Sequence, residues 1–101
     1  MFSTPIPGVT VSHYVPGRLR LHVTKIKSAP PTASEFERRL GAVHGVLHVE
    51  ANTRTGSLLV EFDPAHFAQP EAYETLLPVL QALFPEVDPE LVTRLVDEAF
   101  R

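Results

Sequence analysis

Five histidines and a ridge of cationic residues are the groups in this chain best suited to binding chemistry. The histidines are His13, His22, His44, His48 and His66. Imidazole nitrogen ligates zinc, nickel, copper or iron. No His-x-His or His-x-x-x-His pair supplies convergent ligands, however, and the chain has no cysteine. Zinc fingers, iron–sulfur clusters and thiol catalysis all need a thiolate and are excluded. The cationic ridge is Arg18-Leu19-Arg20-Leu21-His22-Val23, followed by Lys25 and Lys27. Its strict alternation puts Leu19, Leu21 and Val23 on one side of a strand and Arg18, Arg20 and His22 on the other. Arginine offers rigid, permanently charged donors suited to phosphate or carboxylate. Arg18, Arg20, His22, Lys25 and Lys27 are therefore the expected binding face. Its targets are an anionic ligand, an acidic partner, or the chain's own acidic tail.

His22 and His48 are the candidate metal ligands, for iron, zinc or nickel. Both fall on outward positions of strands, on one open face with Arg18, Arg20, Glu50 and Glu61. The arginines there repel a cation. The competing reading is a solvated strand face with cross-strand ion pairs, such as Arg20 with Glu61. His44 reads as a helix-end residue favoured by the helix dipole, and His66 as a surface loop residue. Enzymatic signals are weak. Ser3, Ser12, Ser28, Ser34 and Ser57 lack a Gly-x-Ser-x-Gly elbow, and no glycine loop is built to cradle phosphate. The acid pairs Glu35/Glu37 and Asp97/Glu98 sit on helix surfaces. The expectation is a protein that is not an enzyme.

The elements that position these groups can be read from pattern and punctuation. Residues 1–14, with Pro5, Pro7 and Gly8, read as an extended arm outside the core, with a short strand at 9–14. Pro16-Gly17 precedes the strand 18–23. Lys25 to Pro31 reads as a loop closed by Pro30-Pro31. Thr32-Ala33-Ser34-Glu35 has the form of a capping box opening a helix to about Val43, with Phe36, Leu40 and Val43 as its buried stripe. Gly45 stands where a left-handed C-cap belongs. Val46–Thr53 and Ser57–Asp63 read as a hairpin around Arg54-Thr55-Gly56, with Leu58, Val60 and Phe62 facing inward. A helix opened by Gln69-Pro70-Glu71 carries Tyr73, Leu76, Leu77, Leu80, Leu83 and Phe84 at helical spacing. Pro78 predicts a kink or break near 75–77. Asp88-Pro89-Glu90 starts a last helix, whose apolar stripe is Leu91, Val92, Leu95, Val96, Ala99 and Phe100. The order β-α-β-β-α-α predicts an α+β sandwich with helices on one sheet face.

Composition bounds the classes. A chain of 101 residues with 44% hydrophobic residues supports one domain with a moderate core. No apolar run approaches the roughly 18 residues needed to span a bilayer. Met1-Phe2-Ser3-Thr4-Pro5 lacks the layout of a secretory signal, and the absence of cysteine is compatible with a cytoplasmic location. Net charge is −3, but residues 1–60 carry seven Lys/Arg against three acids, while residues 61–101 carry two against nine. Halves of opposite sign attract within one chain or between chains. Nucleic acid is disfavoured, because the total charge is negative and aromatics do not interleave the basic positions.

Residues 36–46, Phe36-Glu37-Arg38-Arg39-Leu40-Gly41-Ala42-Val43-His44-Gly45-Val46, are similar to the I-E-x-x-L-x-x-L-x-G-V signature of heavy-metal-associated domains. Leu21-x-Val23, Val49-x-Ala51-Asn52 and Val60-x-Phe62-Asp63-Pro64 match further pieces in order, so the resemblance covers residues 18–64. It implies a ferredoxin-like βαββα core over 15–85, with the additional helix 88–101 replacing the fourth strand. In that family a Cys-x-x-Cys metal clamp sits just upstream of the helix, and its cysteines would fall at Ala29 and Thr32. The stretch Val15-Pro16-Gly17-Arg18-Leu19-Arg20-Leu21 resembles a cysteine-free, arginine-rich branch. Such domains occur in, or beside, metal-transporting P-type ATPases.

The resemblance implies a non-enzymatic accessory module of metal homeostasis that docks to a transporter or to itself. The alternatives are an interaction or oligomerisation domain without a metal role, or a metal binder using histidine and carboxylate. Without a fourth strand, the edge beside the first strand is left uncovered and invites pairing. The arm, with Val9, Val11 and His13, is expected to fill it in cis, or in trans within a homodimer. The acidic helix 89–101 is expected to dock on the basic open face near Leu59.

Overall fold

The Pro16-Gly17 pair turns the chain back on itself between Val15 and Arg18, which lie opposite each other. Proline presets its own φ and Gly17 takes φ +85°, as a tight turn of this kind requires. The computed structural model describes residues 2–4 and 6–100. In it the N-terminal segment is a sheet strand, not an arm outside the core. β1 (Phe2–Ser3) pairs with β2 (Val9–Val15), and β2 pairs antiparallel with β3 (Arg18–Val23). Ile6, Val9 and Val11 are buried. The expected edge pairing is thus made in cis, because a two-residue turn leaves the strand no other neighbour to reach first.

The remaining strands are β4 (Val46–Asn52) and β5 (Ser57–Phe62), and the sheet order is β1-β2-β3-β5-β4. All of its pairings are antiparallel. β3 and β4, joined through a helix, are next-neighbours with β5 between them, as a crossover allows. This is the α+β, ferredoxin-like core, with β2 in the place of the fourth strand.

α1 (Pro30–Gly41) opens three residues earlier than the capping box implies. Its N-cap is Ala29, with no side-chain cap bond. Pro30 and Pro31 occupy the first two helical positions, where a missing N–H leaves nothing unsatisfied. Thr32 then lies inside the helix, and Glu35 pairs with Arg38 and Arg39 instead. Those two guanidiniums hold the Glu35 carboxyl below its usual range. The loop before α1 contains a short 3-10 turn, Thr24–Ile26, that sinks Ile26 fully into the core.

Gly45 does adopt a left-handed conformation, φ +92°, though α1 ends at Gly41. It closes the turn in which Val46 N–H donates to Val43 C=O at 3.1 Å. Asp63 caps a short α2 (Pro64–Phe67) by accepting from Ala65 N–H at 3.0 Å. This helix lifts His66 out of the expected surface loop and packs it on Gly45. α3 (Tyr73–Leu83), entered through a 3-10 turn at Pro70–Ala72, runs unbroken through Pro78. Pro78 and Glu74, whose carbonyl loses its usual donor, are both exposed, so water can replace that bond.

α4 (Pro89–Phe100) begins as the sequence indicates, with Asp88 Oδ1 accepting from Glu90 N–H at 2.9 Å. Its position differs from the expectation. Val92, Leu95 and Val96 are buried in the same core as the sheet's inner face, and Leu95 lines an apolar void of about 20 Å³ with Leu19, Leu58, Phe36 and Leu80. The side chains of Ala99 and Phe100 lie outside the described residues. An apolar stripe is drawn to the apolar side of the sheet, and the acidic residues of α4 consequently face away from Arg18 and Arg20. The rings of Phe36 and Phe84, edge to face with centroids 5.5 Å apart, join α1 to the end of α3.

Two substitutions test this packing by urea denaturation. Leu95→Ala should cost about 2–4 kcal/mol, a value typical of a buried leucine, and a surface-docked helix would lose far less. Gly45→Ala should cost about 2 kcal/mol or more, because an added Cβ enters a disfavoured φ and collides with the His66 ring.

Candidate functional site

One face of the sheet is covered by α1, α3 and α4; among the described residues, the other carries no helix. Strand alternation and register arrange that open face in rows. Arg18 lies opposite Val15 on one side and Glu61 on the other, with His48 beyond Glu61. Arg20 lies between His13 and Leu59, with Glu50 beyond. His22 lies between Thr10 and Ser57, with Asn52 beyond. A register shift around Ser12 is what turns His13 onto this face. The face is therefore basic on the β2–β3 side and acidic on the β5–β4 side.

The expected Arg20–Glu61 pair does not form. Arg20 is opposite Leu59, and Glu61 is opposite Arg18. Among the described residues, neither Arg18 nor Arg20 makes an ion pair; those present are Lys25–Glu86, Arg38–Glu35 and Arg39–Glu35. Arg20 stands between two hollows. One is lined by Ser12, His13, Arg18 and Arg20; the other includes Arg20, Glu50, Asn52, Ser57 and Leu59. Leu59 forms the floor of the second and is only 8% exposed.

Lys25 and Lys27 are not part of this face. Lys25 Nζ donates to Leu83 C=O and to Glu86 Oε1, each at 2.8 Å, and lies 4.9 Å from the centre of the Phe84 ring. It thus caps the C-terminus of α3, where a cation meets free carbonyls and the negative end of the dipole. The Lys25 ammonium lowers the Glu86 pKa below the ordinary 4.5. The contribution of that pair is present above this ordinary value and is lost as pH falls through the lower folded one. Lys27 is exposed beside the turn that Ser28 anchors by donating to Thr53 C=O at 2.7 Å. The ridge retains Arg18, Arg20 and His22, and gains Ser12 and His13. The Pro16-Gly17 turn was the signal for His13, since a hairpin there must lay 9–15 against 18–23.

The histidines do not fit a metal centre. His22 and His48 lie two strands apart and several residues along the sheet from each other, on the order of 15 Å by strand spacing and rise. A shared ion needs its ligand atoms within about 2.1 Å of itself. His22 instead leans over the 53–56 turn, where a Cβ on Gly56 would come within 3.0 Å of His22 Nε2. His44 and His48 are separated by the Gly45 turn, one after a helix and the other on a strand. His44 and His66 do meet, edge to face with ring centroids 4.6 Å apart, and His66 Nε2 is buried without a hydrogen-bond partner. No carboxylate or third histidine joins them: among the described residues no group of three metal-ligating side chains converges. Nor do the acid pairs converge, since Glu35 holds two arginines and Glu37 accepts a backbone N–H. No helix among the described residues is long and apolar enough to cross a membrane.

The family model described as Heavy metal associated domain 2 matches residues 3–83. The match takes in β2 and ends with α3, so α4 lies beyond it. No curated protein and no solved structure matches the chain.

Stability measurements should separate the two kinds of cation. Lys25→Ala should lower unfolding free energy by about 1 kcal/mol, because the Leu83 carbonyl loses a charged donor that is only partly screened by solvent. Arg18→Ala and Arg20→Ala should each change it by less than about 0.5 kcal/mol, as expected for surface residues without partners.

Proposed function

From the premise that this chain belongs to the heavy metal associated domain 2 family, we propose that it is a non-enzymatic accessory module that docks to a protein partner through the open face of its sheet. At the family level it is a metal-homeostasis-related domain. The observation that carries the docking reading is the pair Arg18 and Arg20. They stand side by side without ion pairs, while Lys25, Arg38 and Arg39 are all engaged with carboxylates. Arg20 at the Leu59 hollow and Arg18 at the neighbouring one suit an acidic protein segment, with guanidinium forks for carboxylates beside an apolar floor. The chain's own acidic helix does not compete, because α4 is buried on the other side of the sheet. The partner suggested by the family is a metal-transporting P-type ATPase, met in the cytoplasm.

Calorimetric titration against the soluble cytoplasmic domains of such an ATPase from the same organism tests this. The expected result is binding that weakens about a hundredfold in Arg18→Glu/Arg20→Glu, with steep salt dependence. Binding unchanged by the charge reversal would refute the face. Iron(II), zinc and nickel form a second arm: tight binding lost in His22→Ala or His48→Ala would replace docking with metal binding.

A further inference from the structure

β4 is an edge strand, with β5 on one side and, among the described residues, no strand on the other. Ala51 N–H points off the sheet and donates to Glu37 Oε2 of α1 at 2.9 Å. Backbone groups alternate along a strand, so the N–H and C=O of Val49 point to the same outer side. The register agrees. Phe62 N–H donates to Gly17 C=O on the β3 side, so the ladder to β4 uses Ser57, Leu59 and Glu61, opposite Asn52, Glu50 and His48. Val49 has no place in that ladder.

This edge has two obstructions to further pairing, and they lie on either side of Val49. One is the bulge at Leu47, where the register shifts between Val46 and His48. The other is Glu37, whose carboxylate occupies the donor that a new strand would need at Ala51. The strand is otherwise self-complementary about Val49. Antiparallel pairing of two copies around a two-fold axis there sets Val49 against Val49 and His48 against Glu50, with the bulged Leu47 at the end of the contact. Imidazole against carboxylate recurs on both halves of the contact. The occupant that fits this edge best is therefore a second copy of the same chain.

We propose that Glu37 is a latch on this edge: held on Ala51 N–H it keeps the chain single, and its release lets two copies join their sheets through β4. At the opposite edge, β1 from the same chain pairs with Thr10 and Val11 of β2. The inference does not depend on the docking role of Arg18 and Arg20, which lie two strands away from this edge.

Sedimentation of Glu37→Ala against the wild type, from micromolar to millimolar concentration, tests it. The expected result is dimerisation strengthened about tenfold or more in the variant, the effect of freeing one charge-held donor on each of two copies. Glu37→Ala/Val49→Pro should return to monomer, because proline removes the central N–H. A folded Glu37→Ala that sediments like the wild type overturns the proposal, as does a dimer that persists with Val49→Pro. If Glu37→Ala does not fold, Glu37→Gln and the wild type are titrated with a synthetic peptide of residues 46–52 and followed by amide NMR. Shifts centred on Val49, larger for Glu37→Gln, support the latch; no shift at Val49 in either protein overturns it.

Discussion

Leu19, Leu21 and Val23 lie at the centre of the sheet, with strands on both sides and three helices against one face. Burying that single face is the constraint from which the other arrangements follow. α1 brings Phe36 and Leu40 to it, α3 brings Leu76 and Leu80, and α4 brings Val92, Leu95 and Val96. The hydrophobic effect has no direction of its own, so each apolar stripe goes where apolar area is already gathered. The opposite face is then left to polar groups by strand alternation alone. Arg18, Arg20 and His22 are exposed or half-buried because their neighbours in sequence are in the core.

The cations divide by the same logic. Lys25 lies past the end of β3, within reach of the last turn of α3, and free helix carbonyls hold it there. Arg38 and Arg39 lie one turn from Glu35 on the same helix, a spacing at which ion pairs form locally. Arg18 faces Glu61 on β5 without closing an ion pair, and Arg20 faces Leu59. The acidic residues of α3 and α4 are separated from them by the thickness of the sheet and the core. Charge asymmetry between the two halves of the sequence therefore becomes, in large part, asymmetry between two sides of the molecule.

The two edges of the sheet are handled differently. β2 closes one by a hairpin, which also replaces the strand that a ferredoxin-like core otherwise takes from its C-terminus. That substitution releases the C-terminal segment to become α4 and add a further helix to the core. At the other edge, a bulge at Leu47 and the Glu37 carboxylate on Ala51 N–H lie on either side of Val49.

The sequence alone determined the four longer strands, the three longer helices, the inward and outward faces of β3 and β5, and the absence of thiolate chemistry. These depend on period, punctuation and composition, which are local quantities. Family membership was also legible, in the order of short motifs from Leu21 to Pro64. Only the tertiary structure decided which elements meet. It moved the N-terminal strand into the core, placed α4 on the helical side, separated Lys25 from the arginines and set His22 far from His48. It also brought His66 onto Gly45 and Glu37 onto Ala51, contacts spanning 21 and 14 residues of chain. The reason is register and layering: a side chain's face follows from its own strand, but its neighbours follow from which strand lies alongside and which helix lies above.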